Sequence, residues 1–386
     1  MKKTKNQSVR KTHTTSTILV FLLILFCASG CMADEGDESD SPLTITDAFG
    51  RSVTIPDNPE RIAVCGSGSM RFFIYLDIDL DRVVAIDYLD SELNNYPNDL
   101  RPYMLSHPEI KSIPEIGLAK GVVDNEKLLF SNAEVLFIGA SDNSSIEMAD
   151  EIMQKTGIPV VLFYVGNYVT HSDEIQKTLI MLGEILHHKD RAEEVITYFN
   201  EIEADLKERV PNASEDEKPT VYVGGVAYSG SHGIDGTDPT YCPLTVLNAR
   251  NVASDIEKVL QTGYVQVAKE QILAWDPDII FVDLATLGAA EGGAIVELQT
   301  DPSYQELSAV KNGEIYAVNP HTSMNVNYET TLANAYYIGS ILYPEQFSDI
   351  DPAKKADEIY RRVVGREVFE QLKANVEELS YQKLTL

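Results

Sequence analysis

The chain has 386 residues and is 44% hydrophobic and 8% aromatic, enough apolar material for two globular domains. Its formal charge is -29, from 31 Lys and Arg against 60 Asp and Glu, a surface that repels phosphate backbones and excludes nucleic acid as a partner. Four cysteines are too few for a disulfide scaffold.

The first thirty residues stand apart. MKKTKNQSVRK (1–11) is basic, and ILVFLLILFCA (18–28) is an apolar run far short of the roughly 20 residues that a membrane-spanning helix needs. That order of regions is the order of an export signal, so 1–30 is expected to be a signal peptide. Ala28, Ser29 and Gly30 directly before Cys31 resemble the lipobox of bacterial-type lipoproteins, which implies that Cys31 is lipidated and becomes the new N-terminus. Ordinary secretion with an incidental Cys is the alternative. Residues 31–42, including ADEGDESDSP, are acidic without apolar periodicity and form a solvated tether. These features place the protein outside the cytoplasmic membrane, anchored by lipid. Cys65 and Cys242 are expected to be free buried thiols, because a bridge between them would lock the two halves described next.

Residues 43–170 form a first lobe. RIAVCG (61–66) is an apolar strand running into a Gly turn, EKLLFSNAEVLFI (126–138) a short helix and then a strand, and TGIPVVLFY (156–164) a Gly followed by a β-branched strand. Residues 171–210 carry apolar positions at spacings of three and four, from Ile175 to Leu206, with a gap at His187–Asp190 that predicts a break or kink in a connecting helix. The second lobe, 211–386, repeats the first: TVYVGG (220–225), EQILAWDPDIIFV (270–282) and NGEIYAVNP (312–320) occupy the same order. In each copy a Glu opens the helix and Asn132 or Asp276 ends it, with Pro277 enforcing the second stop. The fold class is therefore α/β: two similar lobes with mostly parallel central sheets, joined by one long helix.

TITDAFGRSVTIPDNPERIAV (44–64), the VxxEQILAWDPDIIFVD phrase (267–283) and LYPEQFSDIDPAKKADEIY (342–360) closely resemble the substrate-binding lipoproteins of ABC importers for iron-siderophore, haem and corrinoid compounds. The resemblance implies a monomeric, non-enzymatic receptor that takes such a ligand between its lobes and passes it to a permease and its ATPase. It requires no resident cofactor. It also implies that Glu126 and Glu270 dock into arginine pockets of the permease. A helix-terminal acid worth about 0.3–1 kcal/mol is the plainer reading of each.

In parallel sheets, ligands bind beyond the carboxyl ends of the strands. That rule selects loops rich in Gly, Ser, Asn and Tyr: GSGSMR (66–71), GLAKG (117–121), GASDN (139–143) and YVGNY (164–168) in lobe one, and AYSGSHG (227–233), DLATL (283–287) and HTSMNVNY (321–328) in lobe two. Candidate ligand contacts are Ser67, Ser69, Arg71, Lys120, Tyr164, Tyr228, His232, His321 and Asn325. Arg71 and Lys120 are the only cations in those loops, suited to ligand carboxylates. His232 and His321 are either iron ligands or hydrogen-bonding residues. Tyr164, Tyr168, Tyr228 and Tyr264 either stack on ligand or pack in the core. A bare zinc or manganese receptor of the same architecture would need about four convergent imidazoles and carboxylates, and only two His fall in these loops. An enzyme is disfavoured: there is no GxSxG, HExxH or P-loop, and Arg71 stands where a dinucleotide fingerprint needs its third Gly.

Overall fold

The computed structural model describes residues 42–94, 98–118, 122–168, 171–256 and 264–386. The signal segment, the tether up to residue 41, Cys31 and Lys120 lie outside the described residues. Leu43–Thr46 and Ser52–Ile55 pair as a hairpin, with the Asp47 carboxylate accepting the Phe49 and Arg51 amides at the turn. Four parallel strands follow: β1 (Ile62–Cys65), β2 (Val83–Ile86), β3 (Val135–Ala140) and β4 (Val160–Tyr164), in the sheet order β2-β1-β3-β4. The second half makes β5 (Thr220–Gly224), β6 (Arg250–Asn251), β7 (Ile279–Asp283) and β8 (Ile315–Val318), ordered β6-β5-β7-β8 and also parallel. The two sheets thus share one topology, as the repeated phrases predict.

Both faces of the first sheet are covered, which is why its strands are apolar throughout. Val64, Phe137, Val161 and Phe163 point into a core that continues through lobe two. Cys65, Leu136, Ile138 and Leu162 point the other way, onto Leu128, Ala149 and Ile152 of the outer helices. Cys65 and Cys242 are free and buried.

Of the helices, α1 (Met70–Tyr75) follows β1, α2 (Asn125–Ser131) precedes β3, and α3 (Ser145–Thr156) links β3 to β4. In α2 the Asp124 side chain accepts the Glu126 and Lys127 amides, and Asn132 ends the helix in the left-handed region at φ 53°. The expected gap is a full break: α4 (Ser172–Ile185) and α5 (Lys189–Arg209) are separated by Leu186–His188, with His187 at φ 59°. Gly183 lets the two pack closely, since a Cβ there would lie 2.9 Å from the Ala192 Cβ. Thr178 of α4 hydrogen-bonds the Tyr164 amide at the end of β4, so α4 belongs to the first sheet and only α5, about 31 Å long, runs between the sheets.

In the second half α6 (Lys269–Trp275) precedes β7 and ends at Asp276, at φ 41°. The Asp276 carboxylate takes the Ser308 amide and hydroxyl, at 2.6 and 2.7 Å. After β8 the chain makes α7 (Tyr328–Leu342), α8 (Pro352–Val364) and α9 (Phe369–Asn375). These do not stay in lobe two: α8 packs against α1 and the short helix Pro102–Ser106, and Asn375 donates to the Asp99 carbonyl at 2.7 Å. The last residues return to lobe two, where the Leu384 amide meets the Ile315 carbonyl at 2.8 Å.

Phe163 sits where β4 meets α1, fully buried, with the Phe72 and Phe73 rings 5.3 and 6.1 Å away. Phe163→Ala should cost about 3–5 kcal/mol, measured as a fall in urea midpoint at constant slope.

Candidate functional site

In each lobe the first strand ends in a glycine turn laid against the end of the third strand. Gly66 has φ 100°, and a Cβ there would come 2.8 Å from the Gly139 carbonyl oxygen. Gly225 has φ 80°, and its Cβ would come 2.8 Å from the Asp283 carbonyl oxygen. These are the switch points of the two sheets, where strand order reverses and ligands settle. The Gly66 amide donates to the buried Asp87 carboxylate at 2.9 Å, which fixes the turn that launches Ser67, Gly68, Ser69 and α1.

Arg71, on the first turn of α1, crosses to the other lobe. Its Nη2 donates to the Met324 carbonyl at 2.8 Å and approaches the Ser323 carbonyl at 3.4 Å. The guanidinium lies 5.4 Å from the Tyr103 ring and 6.0 Å from the Tyr328 ring, and the residue is 1% exposed. The acceptors are aimed by an unusual turn: Met324 and Asn325 are consecutive non-glycine residues at φ 48° and 76°. Asn327 cinches it, its amide on the His321 carbonyl at 2.7 Å and its side chain on the Ser323 carbonyl at 3.2 Å. The lobes touch here, for a Cβ on Gly68 would lie 2.1 Å from the Met324 oxygen. Two surface hollows, of about 820 and 590 Å³, lie elsewhere, on the outside of α3 and at the His187 break.

Around this contact a second layer of charge is buried. Tyr103 donates to Asp90 at 2.8 Å, and Arg101 bridges Asp90 at 2.5 Å and Asp99 at 2.8 Å with two parallel bonds. Burial pushes the Asp90 carboxyl up to about 6 against the pull of Arg101. Burial also acts on Asp99, but the Arg101 hydrogen bonds and charge outweigh it and hold that carboxyl below its usual range. Glu329, on α7, accepts the Tyr75 hydroxyl from α1; burial raises its pKa while the Arg71 charge opposes the rise. Arg71 Nε, Ser323 Oγ, Asn327 Oδ1 and Glu329 Oε1 are all buried without a hydrogen-bond partner among the described residues. Buried polar atoms are rarely left so, and here they gather at one seam.

Of the sequence candidates, Arg71 crosses the seam to the carbonyl of Met324, the neighbour of Asn325, and Ser67 is half-buried beside it. Two expectations change. Ser69 turns inward: a Cβ on Gly139 would lie 2.3 Å from its Oγ, so the hydroxyl faces lobe one. His321 does not line an open cleft; it is 2% exposed, Nδ1 3.3 Å from Asp283 Oδ2, its ring edge-on to Tyr241 at 4.7 Å. Tyr168 is core, packed against Phe199 and Tyr328. Asn325 spends its Oδ1 on the neighbouring Val326 amide at 2.8 Å. Tyr164 pairs with His171 at 5.1 Å, its hydroxyl close to Gly166, whose carbonyl accepts Tyr328 at 3.2 Å. Partial burial pushes the Tyr164 hydroxyl up to about 12. In lobe two Tyr228 stacks on Tyr264 at 5.3 Å, and His232 lies 4.7 Å from the same ring with Nε2 on the Tyr228 carbonyl. Thr322 ties that loop to the seam through the Ala227 carbonyl at 3.3 Å. Sequence reasoning missed Tyr103, Tyr328, Glu329 and the Asp90–Arg101–Asp99 group. Only the Asn-rich run MNVN signalled a left-handed turn. Among the described residues, no group of three or more His, Cys, Asp or Glu converges as a metal site. Glu126 and Glu270 are both exposed, and neither has an ion pair among the described residues.

Residues 62–322 match the family model described as periplasmic binding protein, and the chain belongs to that family. It is a solute-binding protein of an ABC importer. Over 338 residues it is 23% identical to the ABC transporter substrate-binding lipoprotein YvrC of Bacillus subtilis, covering 86% of this chain and 97% of that one. It is 22% identical over 342 residues to the molybdate-binding protein MolA of Haemophilus influenzae, covering 82% and 90%. The structure of MolA bound to molybdate superposes with a TM-score of 0.63 at 21% identity, over 84% of this chain and 98% of MolA. A shorter match, 30% identical over 148 residues, covers 37% of this chain and 42% of the Fe(3+)-citrate-binding protein YfmC of Bacillus subtilis. Among the described residues no helix is long and apolar enough to cross a membrane.

The raised pKa of Asp90 has a sign that can be tested. Between its ordinary value of 3.8 and about 6 the folded chain holds a proton that the unfolded chain has lost. Asp90 therefore lowers stability as pH rises through that window, by about 2–3 kcal/mol in all. Asp90→Asn should flatten this part of the stability profile, read from urea unfolding at pH 4 and pH 6.5.

Proposed function

We infer that this protein is a lipid-anchored extracytoplasmic receptor that captures a compact metal-bearing anion at the interlobe seam and delivers it to its permease and ATPase. The observation that carries the reading is Arg71, a buried cation from one lobe whose hydrogen-bond partners among the described residues are main-chain carbonyls of the other, with its own Nε and the Ser323 hydroxyl left as unused donors. An anion offers Arg71 stronger acceptors than neutral carbonyls do. MolA and YfmC are named for molybdate and ferric citrate, which are both metal-bearing anions. The Tyr228–Tyr264–His232 stack is tied to the seam through Thr322 and the Ala227 carbonyl, and the Tyr164–His171 pair through Gly166 and Tyr328; in this reading they supply its aromatic rim. A ferric siderophore fits this chemistry when its chelating groups are anionic; haem and corrinoids ask for a broad apolar gap. The bare zinc or manganese receptor finds no convergent ligand set among the described residues.

Cys31 carries the lipid and residues 31–42 the tether in this reading. Residues 43–170 and 211–386 are the lobes, 171–210 the connecting segment, and the receptor works as a monomer. Glu126 and Glu270, exposed and without an ion pair among the described residues, at corresponding points of the two copies, are the docking carboxylates for the permease. Ligand entrance requires the seam to part, and the packed α5 limits how far.

Calorimetric titration with ferric citrate, molybdate, a ferric hydroxamate, haem, cyanocobalamin and Zn(II) tests the ligand class. Ferric citrate or molybdate should bind, and Arg71→Met should weaken that binding about 100-fold. Binding of Zn(II) alone, or anion binding unaffected by Arg71→Met, would refute the reading. In a transport assay, Glu126→Ala with Glu270→Ala should abolish uptake and leave ligand affinity unchanged; a loss of affinity instead would sink the docking role.

A further inference from the structure

The duplication supplies its own internal control. Aligning EKLLFSN with EQILAWD sets Glu126 against Glu270, Leu129 against Leu273 and Phe130 against Ala274. Phe130 is 88% exposed and Leu129 48% exposed. At the matching point of lobe two, Ala274 is exposed but small, while Leu273 and Trp275 pack partly against the core. The copies have diverged at the surface, where folding makes no demand: α2 is already held by the buried Leu128 and by the Asp124 cap. A Phe this exposed gains nothing from folding, and together with Leu129 on the same helix it makes an apolar patch of the kind that marks an interaction surface.

Glu126, Leu129 and Phe130 stand at i, i+3 and i+4, hence on one face of α2. Whatever covers the carboxylate covers the ring. The occupant must pair a cation with an apolar surface. A chain of net charge -29 is repelled by anionic lipid headgroups, which favours a protein partner with basic side chains. Val122, half exposed just before the helix, extends the apolar surface.

We propose that Phe130 and Leu129 form an apolar anchor that docks beside Glu126 onto the membrane-embedded permease, and that this anchor distinguishes lobe one from lobe two on a docking face that the repeat would otherwise make two-fold. The proposal rests on the permease-docking reading of Glu126 and Glu270. It adds an energetic asymmetry to it: the lobe-one contact is charged and apolar, the lobe-two contact charged alone. Aromatic anchors beside a desolvated ion pair carry much of an interface's affinity.

The test uses the full chain and its permease–ATPase complex in nanodiscs of neutral phosphatidylcholine, with affinity read by interferometry. Phe130→Ala should weaken docking about tenfold, Ala274→Ser should leave it unchanged, and both should titrate ferric citrate and molybdate as the unaltered chain does. If Phe130→Ala docks normally while Glu126→Ala does not, the anchor is overturned and the carboxylate docking survives. If Phe130→Ala loses only binding to empty nanodiscs, or only a sedimenting dimer, the face belongs to lipid or to a second copy and the proposal falls. If the unaltered chain does not dock, the docking reading and the anchor fall together.

Discussion

A guanidinium with almost no solvent, held between two halves of a duplicated chain, sets the terms for the rest of the structure. Arg71 leaves α1 and finds its acceptors on the opposite lobe, at the Ser323 and Met324 carbonyls. Burying a charge is costly unless it is well paired. Here the pairing is with neutral oxygens, supported by two aromatic faces and by the offset charges of Glu329 and Asp90. The turn that presents those oxygens holds two side-chain-bearing residues in the left-handed region, a conformation costing about 1–3 kcal/mol per residue when sparsely populated. Arg71 is therefore satisfied only when the lobes are together, and incompletely even then.

The lobes are correspondingly less separate than a two-lobed outline suggests. One apolar core passes from the first sheet through the Phe72, Tyr75, Phe199 and Tyr328 rings into the second. Tyr328 is the pivot of this arrangement: its ring packs against Phe72, Tyr75 and Tyr168, and its hydroxyl reaches the Gly166 carbonyl. The duplication set two switch points face to face, and α7 filled the space between them with aromatic rings.

Much of this architecture was legible from repetition. The echoed Glu-led phrases located α2 with β3 and α6 with β7, down to the left-handed ends at Asn132 and Asp276. The gap at His187 marked a real break, because apolar periodicity stops where the helix stops. Site chemistry was less legible. Arg71 stood out as a rare cation in a Gly-rich loop, but its partners are backbone atoms some 250 positions away, which no side-chain pattern encodes. His321 was drawn to the cleft by its loop, yet Asp283 and Tyr241 claim the ring inside lobe two. Asp90, Asp99, Arg101 and Tyr103 carry no signal in the sequence, since a buried charge cluster is assembled by tertiary folding and leaves no periodic trace.

The path of the C-terminal segment bears on what each lobe can do alone. Residues after Tyr328 complete the covering of lobe one: α8 lies against α1, and Asn375 closes on Asp99. Helices that follow lobe two in the chain therefore finish the core of lobe one. Without those later helices, α1 and the Pro102–Ser106 helix would keep apolar surface in water. Lobe one on its own is thus an unfinished core, and a cut just after Tyr328 would unroof it.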